Sequence, residues 1–482
     1  MNLLTMEHVS KAYTDRVLLD DVGFGINENE KIGVIGINGM GKSTLLKVVA
    51  GIEESDAGTI SMGNQVKICY LPQTPVFEEG TTILRAATEG NYDELNRWTI
   101  EAEAKSMLNQ LGFTDYDEKV EHMSGGQKKR VALVRALLTP ADILVLDEPT
   151  NHLDNEMSEW LEEYLIQFRG AILNRVVNRI VEVDHGKLYN YPGNYSEFVR
   201  LKAERQNMEL ATERKRKSIL RTELEWLYRG ARARSTKQKA HIDRIHAMQE
   251  MKDIQEEKRV MLDSVASRMG TKTIELSGIC KSYGEKKLIE DFSYIFLKKD
   301  RIGIIGHNGC GKSTLLKIIN GIVKPDAGTI EIGQTIKIGY FSQENEYMDE
   351  SLRVIDYVKE AGEYIATSDG KITASQMLER FLFDGAMQWS RIEKLSGGEK
   401  RRLYLLRVLM EAPNVLILDE PTNDLDIQTL TILEDYLDHF DGIILIVSHD
   451  RYFLDRTVNR IFAFEGDGKL RQSEGGYSDY LI

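Results

Sequence analysis

A glycine-rich loop followed by lysine and serine occurs twice in this chain, with the two copies 270 positions apart. The first copy runs from Gly36 to Ser43 and the second from Gly306 to Ser313. This is the P-loop pattern, in which backbone N–H groups and the lysine surround the phosphates of a nucleotide. Each copy stands between an apolar run and a helical segment, which makes a chance match negligible. The chain should therefore bind two nucleotides.

The repeat extends beyond the P-loops and divides the chain of 482 residues. Tyr13, for example, recurs as Tyr283 at the same offset of 270. A chain of this length is expected to form two or three domains. We predict a first domain over residues 1–199, a linker over 200–268 and a second domain over 269–482.

Short apolar runs near the motifs predict the strands of parallel sheets. Residues 143–146 and 415–418 form such runs, and residues 31–35 and 301–305 are predicted buried strands that begin with Lys or Arg. Runs that are apolar throughout suit strands buried on both faces. Because helical segments alternate with these strands, both domains are predicted to be α/β.

The linker is rich in charged residues and poor in residues that break helices. Residues 200–268 contain 18 Lys and Arg residues against 11 Asp and Glu residues, no Pro, and one Gly at position 230. Two long helices that meet near residues 229–235 are the economical interpretation. The whole chain carries a net charge of −14, so the hairpin would hold positive charge away from acidic domains.

The predicted tip of this hairpin has the composition of an RNA-binding surface. Residues 214–244 hold 11 basic residues, and Trp226 and Tyr228 lie beside the predicted turn. Basic side chains contact phosphates, while exposed aromatic rings stack on bases or sugars. A solvated charged hairpin is the alternative interpretation. The residues predicted to contact RNA are Arg229, Arg232, Arg234, Lys237 and Lys239.

Composition disfavours membrane and disulfide-bonded classes of protein. No stretch approaches the roughly 20 uninterrupted apolar residues that cross a bilayer, and the N-terminal residues lack the layout of a signal peptide. The cysteines at 69, 280 and 310 are odd in number and form no Cys-x-x-Cys pair. Neither a disulfide framework nor a zinc site is therefore indicated. A cytoplasmic location with no membrane partner is expected.

Two acidic pairs at the ends of predicted strands suit metal binding and water activation. Asp147 and Glu148 end one apolar run, and Asp419 and Glu420 end the other. The first acid of each pair can hold Mg²⁺, while the second can polarise an attacking water. The P-loop residues predicted to bind the nucleotide are Gly36, Asn38, Gly39, Gly41, Lys42, Ser43 and Thr44, with Gly306, Asn308, Gly309, Gly311, Lys312, Ser313 and Thr314 in the second copy.

Both halves resemble ABC ATPase domains. Residues 123–127 (Met-Ser-Gly-Gly-Gln) and 395–399 (Leu-Ser-Gly-Gly-Glu) are similar to the signature loop of that family, and Gln73 and Gln343 are similar to its Q-loop. The resemblance implies a head-to-tail sandwich, in which each ATP lies between the P-loop of one half and the signature loop of the other. The further nucleotide contacts that it implies are Tyr13 and Tyr283 at adenine, and Ser124, Gly125, Gly126, Ser396, Gly397 and Gly398 in the signature loops.

The resemblance also assigns catalytic roles. One site would combine Lys42 and Glu148 with the second signature loop, and the other would combine Lys312 and Glu420 with the first. His449 matches the switch histidine of the family. The implied catalytic residues are Glu148, Glu420, His449, Gln73 and Gln343, and the implied Mg²⁺ ligands are Ser43, Gln73, Asp147, Ser313, Gln343 and Asp419.

The first half departs from the family pattern at the switch loop. The second half passes from Gly442 to Arg456 in 14 positions, whereas the first passes from Gly170 to Arg175 in 5. Nine residues, including the histidine, have no counterpart. Either the first domain has lost its sensor of the γ phosphate, or a segment of the natural protein is absent from this sequence. The second interpretation is favoured because a real deletion would also truncate a buried strand.

Other motifs resemble the ABC-F class of ABC proteins. Residues 148–154 (Glu-Pro-Thr-Asn-His-Leu-Asp) and 420–426 are typical of that class, and residues 225–240 are similar to the linker tip of its Uup-like branch. The resemblance implies a monomeric ATPase that requires ATP and Mg²⁺. Its implied partner is the ribosome, where it would enter the exit (E) site and direct the linker toward 23S rRNA at the peptidyl-transferase centre and toward the P-site tRNA.

Three alternatives share many of these motifs. A ribosome-protecting antibiotic-resistance factor would have all of them, and only drug susceptibility would distinguish it. A DNA-associated ATPase of the Uup-like branch is the second alternative, although no basic coiled coil follows residue 480. An ATPase subunit of a membrane transporter is the third, and the fused halves with their charged linker disfavour it.

Overall fold

The structure is a computed structural model of the chain. It describes residues 1–13, 16–91, 97–150, 153–168, 171–173, 178–184, 186–193, 197–198, 200–202, 204–205, 208, 212, 216, 220, 269–284, 286–342, 348–367, 370–423 and 425–480. The predicted turn and tip of the linker, with all five predicted RNA-contacting residues, lie outside this set. The described linker residues from 200 onward are helical.

The first half consists of nine strands and five helices among its described residues. The strands are β1 (Asn2–Tyr13), β2 (Arg16–Asn27), β3 (Lys31–Ile35), β4 (Ala57–Met62), β5 (Ile68–Leu71), β6 (Ile143–Leu146), β7 (Ala171–Leu173), β8 (Arg179–Asp184) and β9 (Lys187–Pro192). The helices are α1 (Lys42–Val49), α2 (Ile83–Thr88), α3 (Arg97–Gln110), α4 (Gly125–Leu138) and α5 (Asn155–Gln167).

The second half repeats this order and adds a small hairpin. Its strands are β10 (Ile274–Tyr283), β11 (Lys286–Ile295), β12 (Arg301–Ile305), β13 (Ala327–Ile332), β14 (Ile338–Phe341), β15 (Tyr364–Thr367), β16 (Gly370–Thr373), β17 (Val415–Asp419), β18 (Ile443–Val447), β19 (Arg460–Phe464) and β20 (Leu470–Glu474). Its helices are α6 (Lys312–Ile319), α7 (Val354–Ala361), α8 (Ala374–Arg380), α9 (Gly385–Gln388), α10 (Gly397–Met410), α11 (Ile427–Asp438), α12 (Arg451–Thr457) and α13 (Tyr477–Tyr480).

The two halves have the same sheet topology. Each has a six-stranded sheet, in the order β5-β6-β7-β3-β8-β9 in the first half and β14-β17-β18-β12-β19-β20 in the second. Each also has a three-stranded antiparallel sheet, β2-β1-β4 or β11-β10-β13. The strand that precedes the P-loop is therefore central in its sheet, with parallel neighbours on both sides. The predicted tandem α/β domains are confirmed.

Side chains that point alternately to the two faces of the central strands form two apolar layers in each half. On β6, Ile143 and Val145 face the layer that α1 and the antiparallel sheet complete. Leu144 and Leu146 face the other layer, which α2 to α5 cover. All four side chains of this strand are buried. Burial on both faces explains why the strand has an uninterrupted apolar sequence.

The strand β7 of the first half is the counterpart of β18 in the second. β18 has five residues, and the described part of β7 has three. The short strand still pairs in parallel with both neighbours, because Ile172 lies opposite Lys31 on one side and Leu144 on the other. The sheet order of the first half is thus the same as that of the second.

No helix in the described part of the chain is long and apolar enough to cross a membrane.

Candidate functional site

Each P-loop joins a central strand to the helix that follows it. Gly39 and Gly41 have φ values of 80° and 103°, a region that glycine adopts without the strain of a Cβ. Gly41 precedes α1, and no side chain caps that end of the helix. The first backbone N–H groups of the helix, with its positive dipole, are then available to an anion. Gly309 and Gly311 repeat this geometry with φ values of 76° and 118°.

The P-loop lysines lie folded into their own loops. Lys42 Nζ donates to the carbonyl of Gly36 at 2.7 Å and to Oδ1 of Asn38 at 2.8 Å. Lys312 Nζ donates to the carbonyl of Gly306 at 2.6 Å. Burial lowers the pKa of Lys42, and nearby carboxylates, first among them Asp426 of the other half, oppose this shift. A phosphate would supply the negative charge that this buried amine favours.

The serine that follows the second P-loop lysine lies against the aspartate at the end of β17. Ser313 Oγ donates to Oδ1 of Asp419 at 3.2 Å, and the hydroxyl of Tyr340 donates to Oδ2 at 3.3 Å. Burial raises the pKa of Asp419, and these two donors lower it. A hydroxyl and a carboxylate are hard oxygen ligands of the kind that Mg²⁺ prefers. The pair therefore fits the metal that the sequence predicts.

The same tyrosine contact occurs in the first half. The hydroxyl of Tyr70 donates to Oδ2 of Asp147 at 3.5 Å. Tyr70 and Tyr340 stand three positions before Gln73 and Gln343, on the strands that pair with the aspartate strands. Sequence reasoning did not identify these tyrosines. The two tyrosines occupy equivalent positions in the two copies, and this repetition could have identified them as site residues.

Both predicted catalytic glutamates have an uncommon backbone conformation. Glu148 and Glu420 have φ values of 51° and 52°. A residue with a side chain in this left-handed region costs about 1–3 kcal/mol, and such residues concentrate at functional sites. The N–H of Glu420 donates to the carbonyl of Val447 at 2.9 Å, which ties the strained residue to the end of β18. The backbone conformation sets the direction in which each side chain leaves the main chain.

In the second half this glutamate lies beside the predicted switch histidine. His449 Nε2 is 3.2 Å from Oε1 of Glu420. Burial raises the pKa of Glu420 to about 8, and burial lowers the pKa of His449 to about 4. Burial thus disfavours the charged form of both groups, although their separation is that of an ion pair.

In the first half the Q-loop glutamine lies beside the glutamate. Gln73 Nε2 donates to Oε2 of Glu148 at 2.9 Å. The sequence between Ala171 and Arg179 contains no histidine. Glu148 is also more exposed than Glu420, which is 5% exposed. Gln343, the second Q-loop residue, lies outside the described residues.

Both signature loops form the N-terminus of a helix. Ser124 and Ser396 cap α4 and α10, and each takes part in a capping box with the residue three positions later. That residue is Gln127 in the first half and Glu399 in the second. The capping box satisfies backbone donors and fixes the turn before the helix.

The first P-loop lies directly against the second signature loop. A Cβ on Gly39 would come within 2.6 Å of Oε1 of Glu399 and within 3.0 Å of the hydroxyl of Ser396. A Cβ on Gly398 would overlap the side chain of Asn38. The N–H of Asn38 also donates to Oδ2 of Asp426 at 3.3 Å. Residues of both halves thus form one site, in the head-to-tail order that the resemblance implies.

The second P-loop faces more open space. A cavity of about 270 Å³ adjoins it, lined by Tyr283, Leu288, Asn308, Gly309, Gly311, Lys312, Ser313, Thr314, Glu420, Asn423 and His449. A Cβ on Gly309 would meet only Lys286, and one on Gly125 would meet nothing within 4 Å. The halves are joined on this side by Arg451, which contacts Glu159, and by His307, 3.9 Å from Glu156.

The predicted adenine-stacking tyrosines are exposed, and each has a lysine ammonium over its ring. Tyr13 and Tyr283 are 44% and 55% exposed, and each lies at the end of a strand beside its P-loop. The ammonium groups of Lys11 and Lys281 lie 5.6 and 5.3 Å from the two ring centroids. An exposed ring at the mouth of a phosphate site suits stacking on a base.

Comparisons with known proteins agree with this geometry. The ABC transporter family matches residues 19–151 and 289–423, and a second family with the same description matches 181–263. The chain is 47% identical to an uncharacterized ABC transporter ATP-binding protein, YfmR, of Bacillus subtilis, over 100% of this chain and 84% of that protein. It is 35% identical to the energy-dependent translational throttle protein EttA of Escherichia coli, over 99% of this chain and 94% of that protein.

Solved structures show the same fold at low sequence identity. The archaeal ribosome recycling factor aABCE1, solved with the archaeal ribosomal stalk protein aP1, has a TM-score of 0.66 and 19% identity, over 98% of this chain and 91% of that one. An RNase-L inhibitor has a TM-score of 0.64 and 20% identity, with the same coverage. The matched families and the close relatives together show that this chain belongs to the ABC ATPases and is an ATP-hydrolysing enzyme of the ABC-F class.

Proposed function

We propose that the protein is an ATP-controlled clamp that binds the ribosomal E site and acts through its linker on the P-site tRNA near the peptidyl-transferase centre. The name of the EttA relatives supports a role in translation, since they are called translational throttle proteins and cover almost all of this chain. The basic composition of residues 214–244 supports an RNA partner.

The observation that carries the proposal is the contact between the two halves at the first P-loop. Arg16 and Asn38 of the first half contact Glu399 and Asp426 of the second. A nucleotide bound at this position would touch both halves of one polypeptide. ATP binding would therefore favour the closed arrangement, and loss of the γ phosphate would weaken it. A monomer can form this sandwich alone.

The residues of the site supply the parts that ATP hydrolysis requires. Lys42 and Lys312 would neutralise phosphate oxygens. Mg²⁺, held by each serine and aspartate, would balance the charge that develops between the β and γ phosphates. Glu148 and Glu420 would take a proton from the water that attacks the γ phosphorus, and the bond from that phosphorus to the bridging oxygen breaks.

The linker begins close to this chemistry. Lys202 and Arg205, on the first described helical residues of the linker, contact the buried carboxylate of Glu182 on β8. Glu182 lies opposite Ile35 in the register of β8 with β3, immediately before the P-loop. Movement of the first half would therefore carry the root of the linker with it.

Ribosome binding can be tested with a chain that closes on ATP and does not hydrolyse it. The Glu148→Gln and Glu420→Gln double variant should co-sediment with ribosomes in ATP several-fold more than the wild type, because the trapped closed form cannot release. The same variant in ADP is the matched control. Equal sedimentation in ATP and ADP would contradict the proposal.

A further inference from the structure

A lysine in the first half lies between an acid and the tyrosine that is predicted to stack on adenine. Lys11 Nζ donates to Oδ1 of Asp56 at 2.9 Å and lies 5.6 Å from the ring centroid of Tyr13. Lys11 and Tyr13 are two positions apart on β1, and side chains at that spacing share one face of a strand. Only 14% of the lysine side chain is exposed. The ammonium is therefore confined to the space between the carboxylate and the ring.

The carboxylate that holds this lysine is itself fixed to the same strand. Oδ2 of Asp56 accepts from the N–H of Ala12 at 2.8 Å, and the N–H of Asp56 donates to the carbonyl of Ser10 at 2.9 Å. The hydrogen bond from Lys11, followed by that from Ala12, lowers the pKa of Asp56. Each carboxylate oxygen thus has its own donor, and the position of the acid sets the position of the ammonium.

The second half builds the same arrangement from the equivalent residues, 270 positions later. Lys281 Nζ donates to Oδ1 of Asp326 at 2.7 Å and to the carbonyl of Lys324 at 3.0 Å. The same ammonium lies 5.3 Å from the ring centroid of Tyr283. Oδ2 of Asp326 accepts from the N–H of Ser282 at 2.8 Å, and the side chain of Lys281 is 13% exposed. The acid, the lysine and the tyrosine thus have the same contacts in both copies.

The tyrosine of each cluster lies where the base of a bound nucleotide would be. Tyr283, for example, lines the cavity at the second P-loop together with Lys312. An ammonium over a ring is attracted by the negative charge of its π face, so it holds the ring and leaves the opposite face for a ligand. The ammonium also reduces the negative charge of the ring, which lowers the repulsion between the ring and the π electrons of a stacked purine. A ring that is already fixed needs no further ordering when the base binds.

We propose that the Asp56–Lys11 and Asp326–Lys281 pairs are positioning elements for the nucleotide base: each pair holds its tyrosine ring from one face and so strengthens stacking of the base on the other. These lysines act on base binding and not on hydrolysis, because the phosphates have the lysines of the P-loops. The proposal rests on stacking of the base at the two tyrosines and not on the ribosomal partner. Its test therefore contains no ribosomes and can fail separately.

Steady-state ATP turnover separates base binding from chemistry. In the full chain, the Lys11→Met and Lys281→Met double variant should raise KM for ATP about fivefold with kcat unchanged, the size of effect that a partly exposed cation–π contact supplies. Inorganic triphosphate carries no base, so its inhibition constant as a competitor of ATP should be the same in the variant and the wild type. An unchanged KM or a fall in kcat would overturn the proposal. Equal weakening of ATP and triphosphate would also overturn it, because the effect would then come from the loss of positive charge.

A double-mutant cycle tests whether the lysines act through the rings. In a chain with Tyr13→Leu and Tyr283→Leu, the addition of Lys11→Met and Lys281→Met should raise KM no further, because no ring is left to position. Independent effects of the tyrosine and lysine substitutions on KM would contradict the proposal.

Two further variants control for charge and for folding. Lys11→Arg with Lys281→Arg keeps a cation that can bind the acid and cover the ring, so KM should stay near the wild-type value. Lys272→Met removes an ammonium from its ion pair with Glu331 on β13, in the same half, and should leave KM unchanged. If Lys272→Met raises KM as much as Lys281→Met alone, or if arginine fails to preserve binding, the cation over the ring is not the cause.

Discussion

Arg205, at the root of the linker, lies with its guanidinium 3.1 Å from the carboxylate of Glu182 on β8. Glu182 is 3% exposed, and it also contacts Lys202 and accepts from the hydroxyl of Tyr191 at 3.1 Å. Ala463 occupies the matching place on β19 of the second half. The first half, whose last strand leads into the linker, therefore has a buried acid at this position, and the second half has an alanine.

Removal of this acid should release the linker root. Glu182→Ala removes the buried carboxylate from Lys202 and leaves Arg205 with Asp184 at 3.6 Å, and we expect a loss of roughly 2–3 kcal/mol of stability in the first half. Chemical denaturation would measure the change in the free energy of unfolding. Hydrogen exchange in residues 179–205 would show whether the loss is local to the linker root. Tyr191→Phe is the control, because it removes one hydroxyl and should cost about 1 kcal/mol. Similar costs for both variants would show that Glu182 does not hold the linker through its charge.

The contact between the halves can be tested at neighbouring glycines of the second signature loop. A Cβ on Gly398 would overlap Asn38 of the first P-loop, whereas one on Gly397 would meet nothing within 4 Å. Without nucleotide, Gly398→Ala should therefore increase hydrogen exchange of the first P-loop, residues 36–41. Gly397→Ala should leave that exchange unchanged. Unaltered exchange in Gly398→Ala would mean that the loops do not meet in solution.

The tyrosine beside the metal-binding aspartate provides a test of metal binding. Tyr340→Phe removes the hydroxyl that donates to Asp419 and keeps the ring. Because partners of metal ligands orient them, the Mg²⁺ concentration that gives half-maximal ATP turnover should rise roughly tenfold. The same shift should appear when Mg²⁺-dependent binding of an ATP analogue is measured, while binding in EDTA stays constant.

Tyr404→Phe is the control for this substitution. The hydroxyl of Tyr404 is also buried, but it donates to the backbone carbonyl of Tyr340 at 3.1 Å and not to the aspartate. Its removal should leave the Mg²⁺ dependence unchanged. An equal shift in both variants would assign the effect to packing around β14.

Local patterns predicted most of the fold. The strands at 31–35, 143–146 and 301–305 have the predicted bounds, because an apolar run that stops at a glycine or at an acid is a local signal. The ion pair of Arg16 and Glu399 was not predicted, since its members are 383 positions apart and each is an ordinary charged residue in its own segment. Only the packing of one half on the other brings them together.

The burial of Glu182 on β8 could not be predicted from the sequence either. The segment from Arg179 to Asp184 mixes charged and apolar residues, and its sequence gives no sign that one of the acids is buried. Glu182 can be buried because two basic residues of the linker, Lys202 and Arg205, contact its carboxylate. A buried charge of this kind depends on a partner from another element, so a pattern within one strand cannot predict it.

The linker tip offers the most direct test of the RNA partner. Replacing Arg232 and Arg234 with Gln should weaken retention on ribosomes in ATP, because each arginine is predicted to bind a phosphate. The slope of log affinity against log salt concentration should fall by about one for each phosphate that an arginine no longer neutralises. ATP turnover without ribosomes should not change, since these residues are remote from the P-loops in sequence. Arg200→Gln, at the linker root beside Glu197 and Glu204, is the control for each single tip substitution, because it also removes one positive charge. If Arg200→Gln lowers the salt slope as much as a tip substitution does, the binding reflects overall charge and not the tip.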